Sequence, residues 1–276
     1  MRSKILIIFG WVLFLGMLTG GAFSIGAGRQ DGGGEASVIC MKTMEDADAI
    51  LVQDKAGAIL IDTGEAQDAA HILEVLLERG VEKLDYMILS HPDQDHIGGA
   101  MDILKQIPAD RVIEPYYTEA NETLEALNSW LEEENIPILY PARTQRLRAG
   151  GFGFIVYPPL EKHYSDTNNY SLAVLVQHGR VNMLFAADAL RKRSEELLYT
   201  DWPSMDLYKV PHHGRANSAS GKLFRALRPD FAVVTGSAAD EAVKEAAQEM
   251  GTKLFYTAGG DVIFISDGSR LRKVEE

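Results

Sequence analysis

The sequence predicts an α/β fold in which two β-sheets pack face to face with helices on their outer surfaces, a four-layer αββα sandwich. Three observations predict it. Short apolar runs that read as strands give way to amphipathic helical stretches, once in each half of the chain. Hydrophobic residues make up 46% and charged residues 24% of the chain, the balance of a folded domain and not of a disordered one. The length of 276 residues suits one domain with a sizeable core.

The elements follow in order. Arg2 and Lys4 precede an uncharged apolar run from Ile5 to Leu18, then a small-residue stretch from Thr19 to Gly28. That is the layout of a secretory signal peptide, with Ala22-Phe23-Ser24 as a cleavage site. The uncharged run also reaches the roughly 20 residues that span a bilayer, so an uncleaved anchor is the alternative. Both place the rest of the chain outside the cytoplasm. The expected organisation is a signal peptide or membrane anchor at 1–28, a linker at 29–36 and a folded domain at 37–276. The linker rests on the Gly cluster of Arg29–Glu35, which cannot pack a core.

Val38–Met41, Ala49–Val52 and Ala58–Ile61 read as strands, with a turn at Lys55-Ala56-Gly57. Ala66–Arg79 carries Ile72, Val75 and Leu76 at helical spacing and stops at Gly80. Tyr86–Leu89 is a short buried strand, and Asn121–Glu133 a helix with Leu124, Leu127, Trp130 and Leu131 on one face. Strands follow at Phe154–Tyr157, Ser171–Val176 and Met183–Ala186, then a helix at Arg191–Tyr199. Leu207–Val210 and Phe231–Val234 are strands, Ala239–Met250 is a helix, and the strand Val262–Ile265 closes the domain.

Composition excludes some functions. A net charge of −13 does not attract polyanions by bulk electrostatics, so a nucleic-acid partner would need a local basic patch or bound cations. Arg143, Arg146 and Arg148 form the one basic stretch and read as a solvated strand or loop face. A single cysteine, Cys40, rules out an intramolecular disulfide and a cysteine-rich zinc site, and its neighbours Val38, Ile39 and Met41 make it a buried thiol.

The chemistry concentrates in Leu89-Ser90-His91-Pro92-Asp93-Gln94-Asp95-His96-Ile97-Gly98-Gly99. Two histidines and two aspartates lie within six positions, after an apolar strand and before a helical run. Crowded carboxylates repel, and a compact domain tolerates them best around a cation. Imidazole with carboxylate suits zinc, manganese or iron. Gly98 and Gly99 allow close approach of the helix that follows. Of seven histidines, four occur as His91, His96 and the pair His212-His213; His71, His163 and His178 lack a carboxylate cluster and read as surface residues.

Residues 91–96 resemble the His-x-His-x-Asp-His signature of the metallo-β-lactamase superfamily, with Asp93 in place of the second histidine. That version is similar to the extracytoplasmic hydrolase domain of the ComEC family of DNA-uptake proteins. Ala49–Val52 followed by Ile59–Gly64, then Asn168–Leu172, Phe185–Asp188 and Lys209–Gly214, resemble further motifs of the superfamily in matching order.

The resemblance implies the metallo-β-lactamase fold from about Ser37 to about Arg272, and an exported hydrolase that uses a metal-activated water on phosphodiester bonds, in DNA or in smaller diesters. It implies one or two divalent metal ions, zinc or manganese. His91 and Asp93 would bind a first metal, Asp95, His96 and His212 a second, and Asp188 would bridge them. Asp62 would hold the histidine loop by hydrogen bonds and orient a ligand histidine. Asp95 would orient the attacking water and accept its proton. His213 would meet the substrate or shuttle a proton, serve structurally, or be the ligand in place of His212.

Two departures stand out. Where the third motif of the superfamily supplies a histidine, this chain has Asn168, Asn169 and Ser171, which leaves the first metal weaker and lets these side chains face substrate. Replacing imidazole by carboxylate shifts preference from zinc toward manganese. Arg215 follows Gly214 where relatives carry serine; it could contact a phosphate bidentately or be an exposed charge. The expected partners are a phosphate-ester substrate, nucleic acid among them, and the membrane if the N-terminal segment is retained. The alternatives are hydrolysis of a carbonyl substrate such as a lactone or β-lactam, and an inactive cell-surface binding module.

Overall fold

A computed structural model of the chain describes residues 34–275. The expected signal or anchor segment lies outside the described residues. Among those described, no helix is long and apolar enough to cross a membrane.

The first sheet begins with β1 (Ala36–Cys40), β2 (Ile50–Gln53), β3 (Ala58–Ile61) and β4 (Tyr86–Ile88). Between the last two runs the helix α1 (Ala69–Glu78). After β4 come the short helices α2 (Gln94–Ile97) and α3 (Ala100–Leu104), then β5 (Val112–Ile113), α4 (Glu122–Glu133) and β6 (Ile138–Leu139). The second sheet starts with β7 (Gln145–Ala149), β8 (Phe152–Tyr157), β9 (Ala173–His178) and β10 (Val181–Phe185). It continues through α5 (Arg191–Leu197), β11 (Leu207–Lys209), α6 (Ser220–Leu227), β12 (Phe231–Val234), α7 (Glu241–Met250) and β13 (Lys253–Tyr256). The chain then returns to the first sheet with β14 (Val262–Ser266) and β15 (Leu271–Lys273).

The first sheet has the order β15-β14-β1-β2-β3-β4-β5-β6 and the second β13-β12-β11-β10-β9-β8-β7. Period-two alternation sorts the side chains into layers. In β2, Ile50 and Val52 point between the sheets and Leu51 points to the helices; in β9, Val174 and Val176 point inward and Leu175 outward. One core lies between the sheets, one under α1, α3 and α4, and one under α5, α6 and α7. The αββα sandwich expected from the sequence is the observed architecture.

Several elements gave little signal. The two-residue strands β5 and β6 are too short to show a period, and β7 alternates half-buried residues with the exposed Arg146 and Arg148. The helix α6 and strands β13 and β15 were also unexpected. His178 corrects a reading: it is buried, its Nδ1 2.8 Å from Ser266 Oγ, where β9 and β14 approach across the sandwich.

Topology places the site. β3, β4 and β5 run parallel in one sheet, as do β10 to β13 in the other. The loops leaving the carboxyl ends of β3, β4, β10, β11 and β12 carry Asp62, Ser90–His96, Asp188, His212–His213 and Thr235 to one rim. β2 is antiparallel to β3, so Asp48, just ahead of β2, reaches the same rim.

Candidate metal centre

Four of the six non-glycine residues with left-handed backbone, among those described, are at this rim: Asp62, Ala187, His212 and His213, with φ of 59°, 45°, 53° and 52°. Such conformations cost about 1 kcal/mol or more each and persist where the surroundings impose them. After Asp62, Thr63 donates from its amide and its hydroxyl to His96 O, at 2.8 and 2.9 Å. Gly64 N donates to Asp48 O at 2.8 Å, and Asp48 N to Asp95 O at 3.2 Å. The backbone thus stitches the Asp48, Asp62 and 91–96 segments together. Gly98 is needed here, because a Cβ on it would stand 2.7 Å from Ala66 N.

Asp95, His96, Asp188 and His213 converge, with ligand atoms within 4.8 Å of one another. His213 Nε2 lies 3.1 Å from Asp188 Oδ2 and 3.3 Å from Asp95 Oδ2; His96 Nε2 lies 3.5 Å from Asp188 Oδ1. The ring of His91 packs against that of His96 at 4.0 Å between centroids, and its Nε2 is 3.5 Å from Asp93 Oδ2.

Hydrogen-bond accounting assigns the tautomers of the neutral rings. Asp62 accepts Ser90 N at 2.7 Å, Ser90 Oγ at 2.8 Å and His96 Nδ1 at 2.8 Å. The one proton of Ser90 is committed to Asp62, so at 3.0 Å it is His91 Nδ1 that donates to Ser90 Oγ. Thr235 Oγ1 likewise donates to Asp48 Oδ1 at 2.6 Å, so His213 Nδ1 donates to Thr235 Oγ1 at 3.1 Å. All three rings carry their proton on Nδ1. Their buried Nε2 atoms have no hydrogen-bond partner among the described residues. The lone pairs of His96 and His213 with the carboxylates of Asp95 and Asp188 are a donor set that fits a divalent cation.

The charges agree. Burial disfavours the ionised Asp188, but His96, Lys209 and His213 outweigh it and hold the carboxyl well below the usual range. Burial likewise opposes the His213 cation, and Asp188 foremost among its neighbours carries it up to about 10. Without a metal His213 therefore holds a second proton, and a cation would displace it.

The expected residues divide as follows. Asp95, His96 and Asp188 form the four-residue group with His213, so the place expected for His212 belongs to its neighbour. Two successive left-handed residues after β11 turn the His213 ring into the pocket and leave His212 half-buried at its flank. His91 and Asp93 stand beside the group, and Asp93 accepts a hydrogen bond from Thr167 Oγ1 at 3.0 Å. Asp62 accepts hydrogen bonds from Ser90 and His96.

Asn169 and Ser171 are occupied structurally. Asn169 Oδ1 accepts Arg193 N at 3.1 Å; Ser171 Oγ donates to Asn168 O at 2.6 Å and accepts Asp188 N at 3.2 Å. Arg215 pairs with Asp46 at 3.0 Å at the surface. Sequence reasoning missed Asp48, Thr235 and the role of Lys209. The available signal was a charged residue beside or inside a run that reads as buried strand, in Asp48-Ala49-Ile50-Leu51 and in Leu207-Tyr208-Lys209-Val210.

Fold and site together define an αββα sandwich with a candidate metal site at one rim, and the comparisons give its class. The metallo-β-lactamase superfamily model matches residues 44–236, well over half of the chain, and the chain belongs to that superfamily. Within it, the chain is related to the ComEC-type competence proteins. It is 27% identical over 197 residues to ComE operon protein 3 of Bacillus subtilis, covering 65% of this chain and 25% of that protein. It is 29% identical over 218 residues to competence protein ComA of Neisseria gonorrhoeae, covering 76% and 29%. Recombination protein 2 of Haemophilus influenzae is 29% identical over 191 residues, covering 68% and 22%. The chain thus spans under a third of the length of these relatives. Among solved structures, the metallo-β-lactamase fold protein YhfI of Bacillus subtilis superposes with a TM-score of 0.59 at 16% identity, over 84% of this chain and 100% of that one. The diiron β-hydroxylase CmlA of Streptomyces venezuelae gives 0.55 at 13% identity, over 87% and 54%. Both likenesses are of fold.

Proposed function

We propose that this chain is an exported, metal-dependent hydrolase of phosphodiester bonds. The observation that carries the reading is the convergence of His96, His213, Asp95 and Asp188, whose ligand atoms lie within 4.8 Å of one another, with His91 packed beside them. A divalent cation at such a site supplies Lewis acidity and a nucleophile available at neutral pH. The side chains do the rest. Asp62, Ser90 and Thr235 hold the three imidazoles with their protons on Nδ1. Asp95, with 27% of its side chain exposed, reaches the pocket mouth and takes the proton of the attacking water on Oδ2. Asp188, clamped from below, keeps its charge.

A phosphorus centre is supported by the carboxylate of Asp93 in place of an imidazole and by the kinship with competence and recombination proteins. The export reading is supported by the charge layout of residues 1–28, which also makes the membrane a partner if that segment is retained. The test is hydrolysis of a chromogenic phosphodiester, a phosphomonoester and a β-lactam by the purified chain, with zinc and with manganese. Turnover of the diester that disappears in Asp95→Ala is the expected result. Preference for the β-lactam would reassign the chemistry to a carbonyl substrate. Neither bound metal nor turnover would make the domain a binding module. Comparing DNA with a small diester then decides the size of the substrate.

A further inference from the structure

Lys209 has 0% of its side chain exposed and lies at the end of β11 beneath the metal group. Leu207, two residues earlier, packs between the sheets, so alternation sends Lys209 into the same space, across which it pairs with Asp48 ahead of β2. Its ammonium also donates to Ala187 O at 3.0 Å and lies 3.4 Å from Asp188 Oδ1. Among the described residues, no other lysine or arginine pairs with Asp48, Asp62, Asp95 or Asp188. Packing does not require a charge here, and an ammonium is costly to bury unless matched.

We infer that Lys209 is the built-in counter-ion of this centre. It holds Asp48 and Asp188 together while no metal is bound, and it reduces the pull of Asp188 on a divalent cation, so that the cation is exchangeable. The inference rests on the reading that Asp95, His96, Asp188 and His213 hold a cation. It differs from a scaffolding role in sign. If Lys209 only braced Asp188, its loss would loosen the donor set and weaken binding. As a counter-ion it repels the cation, and its loss strengthens binding.

The test uses the full-length chain, Lys209→Met and Lys209→Arg, with zinc affinity read by competition with a chromogenic chelator and thermal unfolding followed with and without zinc. Lys209→Met is expected to bind zinc roughly tenfold or more tightly than the parent. It should melt lower than the parent in chelator and gain more on adding zinc. Lys209→Arg should restore the parental affinity. Zinc binding by Lys209→Met that is unchanged or weaker overturns the inference. So does a Lys209→Met chain that remains unfolded at saturating zinc, because a cation would then be unable to stand in for the ammonium. A parent chain that binds no zinc or manganese would instead remove the metal reading itself.

Discussion

His96 Nδ1 donates to Asp62 Oδ2 at 2.8 Å, with both side chains fully buried, and the same carboxylate holds the amide and hydroxyl of Ser90. One residue at the end of β3 thereby orients two imidazoles, His96 directly and His91 through Ser90. Partners of this kind fix ring orientation and raise ligand basicity. Asp62→Ala should therefore lower cation affinity roughly 10–100-fold without removing a ligand. Chelator competition measures this, and unchanged affinity would show that the hydrogen bonds do not orient the rings.

The two adjacent histidines should separate cleanly. His213→Ala removes a member of the four-residue group, whereas His212→Ala alters a half-buried side chain outside it. Metal content by atomic emission should fall sharply in the first and remain near parental in the second. The reverse result would show that the loop after β11 is turned the other way.

Thr235 passes a hydrogen bond from His213 Nδ1 to Asp48. Thr235→Val keeps the shape and deletes the hydroxyl, leaving a buried donor and acceptor unsatisfied. A loss of about 1–3 kcal/mol is expected in denaturant unfolding of the metal-free chain. A loss well under that range would mean that His213 bonds Asp48 directly.

Glu114 offers a pH test away from the metal. It is 1% exposed at the end of β5, neither carboxylate oxygen makes a well-formed hydrogen bond, and burial, opposed by Asn128, pushes it up to about 7. Below its ordinary 4.5 the carboxyl is protonated in folded and unfolded chains alike. As pH rises the unfolded chain releases the proton first, so stability falls through about pH 7, by about 3 kcal/mol in all. Glu114→Gln should flatten that decline in urea unfolding between about pH 5 and pH 8. An unchanged slope would mean that other groups carry it.

Much of the fold was legible because long strands and helices write their burial into residue spacing. Ala58–Ile61 coincides with β3, and the Asn121–Glu133 helix is α4 with Asn121 as its cap, accepting Leu124 N at 2.9 Å. The short strands β5 and β6 were not legible. They exist because neighbouring strands supply their hydrogen bonds, and two residues hold no period.

The local sequence by itself determined the kinds of chemistry present: a crowded imidazole–carboxylate loop, a strand-end aspartate and a late histidine pair. It also determined the layered α/β architecture, since periodicity is a property of neighbouring residues. Only the tertiary structure decided that His213 and not His212 turns inward, that Asp48 and Thr235 support it, and that Lys209 lies beneath Asp188. Those outcomes depend on backbone torsions at strand ends and on two sheets meeting across a core, where the deciding contacts join residues far apart in the chain.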